Sequence, residues 1–108
     1  MDDIHIEATP DTVHWGYLGA DIPPVAHIDS GARVTISTVS GLPEVIADSP
    51  YPIPPALASV HKNVKKRLVP GHICTGPIAV QGARRGDVLQ VDIEDVTLDS
   101  DWAYTGIR

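Results

Sequence analysis

The order of apolar and polar residues divides the chain into short extended runs and one helical run. Ile4-His5-Ile6 alternates apolar and polar, the two-residue period of a strand with one buried face. Asp11 to Tyr17 is a second extended candidate. Ile22-Pro23-Pro24-Val25 is extended, because proline pushes the residue before it out of the helical region. Asp29-Ser30-Gly31 reads as a turn. Arg33 to Ser37 is the strand after it, with Val34 and Ile36 on the buried face. Between Gly41 and Pro55, five prolines (Pro43, Pro50, Pro52, Pro54 and Pro55) break any ladder and predict a surface excursion.

From Ala56 to Leu68 the period changes. Leu57, Val60, Val64 and Leu68 recur at steps of three and four, which predicts a helix. Pro54 and Pro55 sit at its start, where a missing N–H is harmless. Lys65, Lys66 and Arg67 sit near its end, where the helix dipole favours cations. Pro70-Gly71 terminates it. Pro77 to Gln81 reads as a strand, and Gly82 to Gly86 as a loop of hairpin length. Asp87 to Ile93 reads as the return strand, with Leu89, Val91 and Ile93 alternating against Gln90, Asp92 and Glu94. The alternation slips by one before Val96 and Leu98, which predicts a bulge near Asp95. The expected fold is mainly β: an antiparallel, sandwich-like arrangement with one short helix. The chain ends on the apolar, aromatic run Asp101 to Arg108, so an incomplete domain is expected.

Composition narrows the partners. With 43% hydrophobic residues and no Phe, a core must be built from Val, Ile, Leu and Ala. A net charge of -6 disfavours a phosphate backbone as partner. The one basic run, His61 to Arg67, has no interleaved aromatics and reads as a solvated helix end, so no nucleic acid is expected. A single cysteine excludes an internal disulfide framework and fits a reducing compartment. The acidic start MDDIHIEATPD is no signal peptide. No apolar run approaches the ~20 residues of a membrane span. A cytoplasmic protein without a membrane partner is expected.

Chemistry concentrates between the helix and the strand after it. His72 lies on a loop there, a common place for a catalytic or ligand group, though a lone histidine is more often structural. If the chain is extended, Cys74 shares a face with His72. A His-activated thiolate is one reading of Cys74, and a small packed apolar residue is the other. Metal sites usually need three or four ligands, and no paired histidine or cysteine motif occurs. Asp87 is expected to accept hydrogen bonds from the loop before it. The two arginines of that loop could hold an anion, but the phosphate-cradle pattern is missing. His14-Trp15 is expected to seal an edge of the core. The acids from Asp92 to Asp101 read as a solvated face, without a calcium-loop pattern.

The run His72-Ile73-Cys74-Thr75-Gly76-Pro77-Ile78-Ala79-Val80-Gln81-Gly82-Ala83-Arg84-Arg85-Gly86-Asp87-Val88-Leu89-Gln90-Val91 resembles the acetamidase/formamidase family. That family carries a His, then Thr-Gly-Pro, a strand, Gly-Ala, and Gly-Asp opening an apolar strand. His14-Trp15, Pro24-Val25, Gly31 with Val34, and Asp101-Trp102-Ala103-Tyr104 extend the likeness over nearly the whole chain. Gln81 stands where the family often has Glu, Arg85 where it often has Pro, and Ala103 for a usual Gly. The family's later Gly-Gly-Asn-x-Asp-like and Gln-Gly-x-Gly-Glu-like segments do not occur in this chain.

The resemblance implies an amide hydrolase acting on short aliphatic amides such as formamide or acetamide, giving a carboxylate and ammonia. It implies an N-terminal fragment that supplies one wall of a site and is inactive alone. Its partners would be the small amide and the missing C-terminal portion or a sister subunit, in a homo-oligomer. Such chemistry needs an activated water, an oxyanion stabiliser and a proton donor for the leaving ammonia. A divalent metal, zinc or calcium, could serve the first two needs, with His72 as ligand or proton carrier. Thr75 and the amide of Gly76 would orient it or hold the oxyanion, while Pro77 only shapes the turn. The alternative is a non-catalytic β-sandwich module for interaction or assembly. A third, weaker idea is a hydrolase built on Cys74.

Overall fold

A computed structural model describes residues 3–68 and 70–106 of the 108. The ends of the acidic N-terminal run and of the aromatic C-terminal run therefore lie outside the described residues. Among the described residues, six short strands and two small helices follow in the order β1 (Asp3–Ile6), β2 (Val13–Trp15), β3 (Ala26–Ile28), β4 (Arg33–Ile36), α1 (Pro43–Ile46), α2 (Pro55–Asn63), β5 (Ile73–Thr75) and β6 (Ile78–Val80). The mainly β expectation holds, but there are two helices instead of one.

The strands pair as three two-stranded sheets: β1 with β4, β2 with β5, and β3 with β6. Only β2–β5 is antiparallel, and the other two pairs are parallel. The antiparallel expectation is thus corrected at two of three pairs, and these small sheets do not establish a sandwich. The cause lies in the return path. β6 does not fold back on the segment after it. Instead it lies beside β3, with Val25 N–H donating to Pro77 O at 2.8 Å and Gln81 N–H to Ile28 O at 2.7 Å, one bond beyond each end of the ladder.

The predicted hairpin partner, Asp87 to Ile93, is consequently not a strand, and no bulge forms at Asp95. Two successive turns close at Ala83 N–H to Val80 O and at Asp87 N–H to Arg84 O. Asp87 accepts the Arg84 N–H at 2.8 Å, as expected of it. Beyond the turns the chain runs exposed, with Leu89, Val91 and Ile93 all bared to solvent. It is tied back at a few points. Glu94 binds the Arg33 guanidinium at 2.7 Å, which raises the Arg33 pKa. Trp102 stacks on Tyr51 with centroids 4.9 Å apart, and Tyr104 Oη accepts the Leu42 N–H at 2.8 Å.

The core sits between α2 and the β2–β5 ribbon. Leu57 and Val60 are almost wholly buried, and Trp15, Val60 and Val64 form one cluster with Val13, Val39 and Ile73 packed against it. The three-and-four spacing therefore named the right residues up to Val64. The helix itself stops at Asn63, with Val64 extended, short of the expected Leu68. Past that point the backbone finds other partners: Leu68 N–H donates to Trp15 O at 3.0 Å, and Arg67 bridges to Trp15. Leu68 is accordingly exposed. Ile36 is also exposed, against the expectation that it would share a buried face with Val34. The proline-rich excursion is not wholly a surface feature, since α1 buries Ile46.

Candidate functional site

The site grows from the β2–β5 ribbon. Register pairs Val13 with Thr75, His14 with Cys74 and Trp15 with Ile73. The ladder continues one residue pair at each end. Gly16 N–H donates to His72 O, and Gly76 N–H to Thr12 O, both at 2.8 Å. Successive side chains on a strand point to opposite faces, and directly opposed residues share a face. One face therefore carries Val13, Trp15, Ile73 and Thr75, and α2 packs on it. The other carries His14, His72, Cys74 and the bare α-carbon of Gly76.

This divides the predicted residues. His72 and Gly76 fall on one face, with Cys74 between them, as an extended chain requires. Thr75 lies on the opposite face, and its hydroxyl donates to Ser37 O at 2.7 Å. The Gly76 amide is engaged by Thr12. His72 is exposed, held by its backbone while its ring meets solvent. Gly76 has φ +132, and an added Cβ would find only the Ile78 nitrogen, at 3.6 Å. There is room beside it.

His14 is the residue that sequence reasoning assigned only to the core edge. It is 7% exposed. Its Nδ1 lies 3.1 Å from Gly76 O. A carbonyl oxygen only accepts, so Nδ1 carries the proton, and in the neutral ring Nε2 keeps its lone pair. Tyr17 meets the ring edge-on at 6.0 Å, and Lys66 Nζ lies 4.5 Å over Tyr17. The sequence signal was slight. His14 occupies the polar phase of an apolar alternation, which ordinarily means solvent, and the alternation gives no sign of the Gly76 carbonyl that its ring meets in the fold.

Among the described residues no group of three or more His, Cys, Asp or Glu side chains is placed to hold a metal ion. The donors around His72 do not make a metal centre by themselves. Beside Pro77 opens a shallow cleft of about 230 Å³, lined by Gly19, Ala20, Ile22, Pro24, Pro77 and Ala79 among others. Its lining is small and uncharged. No helix among the described residues is long and apolar enough to cross a membrane.

Comparisons with curated proteins and with solved structures gave no match. The sequence profile of the Acetamidase/Formamidase family, by contrast, matches residues 5–108. The match takes in the end of β1, the His14–Gly76 ribbon, the cleft beside Pro77 and the exposed run after Asp87. By that match the chain belongs to the acetamidase/formamidase family.

Proposed function

We propose that this chain contributes to the hydrolysis of short aliphatic amides, giving a carboxylate and ammonia. The observation that carries the proposal is family membership across residues 5–108, which takes in the ribbon face bearing His72. His72 suits a proton carrier: it is exposed, while the Gly16–His72 backbone bond fixes where the ring begins. The leaving nitrogen of an amide must be protonated before it departs, and a positioned imidazole can do this near neutral pH. Gly76 leaves room on the same face. The uncharged cleft beside Pro77 offers a seat for a short alkyl group. Thr75 serves from behind, its hydroxyl bond to Ser37 holding the strand that carries His72 and Gly76.

The wall is proposed to be one side of a site. Among the described residues no carboxylate pairs with or hydrogen-bonds to His72. The Gly76 amide would have to leave Thr12 to bind an oxyanion. The chain alone is therefore expected to release little ammonia. The test is ammonia release from formamide and acetamide, by the purified chain and by the protein isolated from its own cells with any bound partner chain. Release by the second preparation is expected, and absence from both sinks the proposal.

The exposed run after Asp87 favours a second reading, an assembly module. That reading predicts association without hydrolysis, so the same assay separates the two.

A further inference from the structure

We infer that His14, and not only His72, belongs to the reacting centre, as the proton acceptor that activates the attacking water. The inference rests on the amide-hydrolase reading above.

His14 is a buried ring with its two nitrogens in different situations. Nδ1–H is committed to Gly76 O at 3.1 Å. No hydrogen bond among the described residues engages Nε2. Yet no buried side-chain nitrogen or oxygen among them lacks a partner. Nε2 is therefore the accessible corner of an otherwise enclosed ring. A backbone carbonyl fixing one nitrogen so that the other presents its lone pair is the arrangement by which a histidine is oriented as base or ligand.

Its position agrees. His14 faces Cys74 directly across the ribbon, and the hydrogen-bonded pairs on either side make this a pair with α-carbons about 5.5 Å apart. His72 lies on the diagonal, about 7–8 Å away by the same geometry. Two imidazoles thus share one face, one enclosed and fixed, the other exposed. Gly76 adds no side chain to crowd them.

The step balances without a further reagent. Nε2 of His14 takes a proton from water as the water oxygen bonds to the amide carbon. The carbonyl oxygen takes the displaced electron pair. As the carbonyl reforms, the C–N bond breaks, and the leaving nitrogen takes a proton from protonated His72. Proton exchange with solvent restores both rings, and the products are carboxylate and ammonium.

The test uses His14→Asn, which keeps a donor near Nδ1 and removes the Nε2 lone pair. In the active preparation, a folded H14N protein should lose about 100-fold or more in kcat with little change in KM. Activity within a few-fold of wild type overturns the role of His14 and leaves amide hydrolysis standing. Independently of activity, the ring ¹⁵N spectrum of the wild-type chain should show His14 protonated on Nδ1 and bare on Nε2. A proton on Nε2 instead overturns the inference even if H14N does not fold. If no preparation hydrolyses amides, the functional reading fails separately. His14 is then judged by acetamide titration: a saturable shift of Nε2 keeps it in a binding site, and no shift removes it.

Discussion

The ring of His14 on β2 donates its Nδ1–H to the carbonyl of Gly76, 62 residues further along the chain, at 3.1 Å. This one bond joins the start of the ribbon to the turn that leaves it. Both ends are buried, so deleting the ring strands a carbonyl without water. His14→Ala should cost about 1–3 kcal/mol, and His14→Asn should recover part of it. Denaturant unfolding of the two variants measures the difference; equal midpoints for His14→Ala and wild type would contradict the bond's weight.

His72 should behave oppositely. Its ring is exposed, so His72→Ala should melt as the wild type does. In the active preparation the same variant should release ammonia about 100-fold more slowly or worse, the usual size of a lost acid–base group. Initial rates on formamide check this, and a wild-type kcat/KM removes His72 from the site.

Two glycines with positive φ should respond very differently to alanine. A Cβ on Gly16, at φ +84, would lie 1.8 Å from Leu68 O, a backbone atom that cannot step aside. At Gly82, φ +78, the same Cβ meets nothing within 4 Å. Gly82→Ala should therefore cost only the left-handed backbone penalty, about 1–2 kcal/mol. Gly16→Ala should cost well beyond that, because the chain at Leu68 must move and with it the bond to Trp15 O. Thermal melting ranks the two, and an equal loss would show that the 16–68 approach relaxes freely.

The run after Asp87 bares Leu89, Val91 and Ile93 at 71%, 70% and 79%. Unpaired extended backbone with apolar side chains invites association. Light scattering should rise with concentration for the wild type. A variant with Leu89, Val91 and Ile93 all changed to Ser should stay monomeric. Its melting point should hold, since those side chains are mostly bared to solvent. Association unchanged by the three substitutions would place the sticky surface elsewhere.

Local chemistry explains what could be read in advance. Strands around Ile4-Ile6, Val13-Trp15 and Val34 declared themselves by alternation, and the α2 core by Leu57, Val60 and Val64. Asp87 was legible because a turn aspartate finds nearby amides whatever the rest of the chain does. The shared face of His72 and Cys74 followed from extension alone. The position of Thr75 was equally implied by that alternation, but its partner Ser37 O was not, because 38 residues separate them.

The sequence by itself determined which segments could extend or coil, which residues could fill a core, and the family to which the chain belongs. Each of those rests on neighbours along the chain or on an ordered string of residues. Tertiary structure alone decided the pairing. Alternation gives a strand two faces but says nothing of its partner, so β6 could join β3 in parallel while the apolar run after Asp87 pairs with no strand among the described residues. It also decided His14. The same polar phase that places a histidine in water on an open ribbon encloses it here, because the Gly76 carbonyl, 62 residues away, comes to its ring, while Tyr17, three residues on, meets it edge-on.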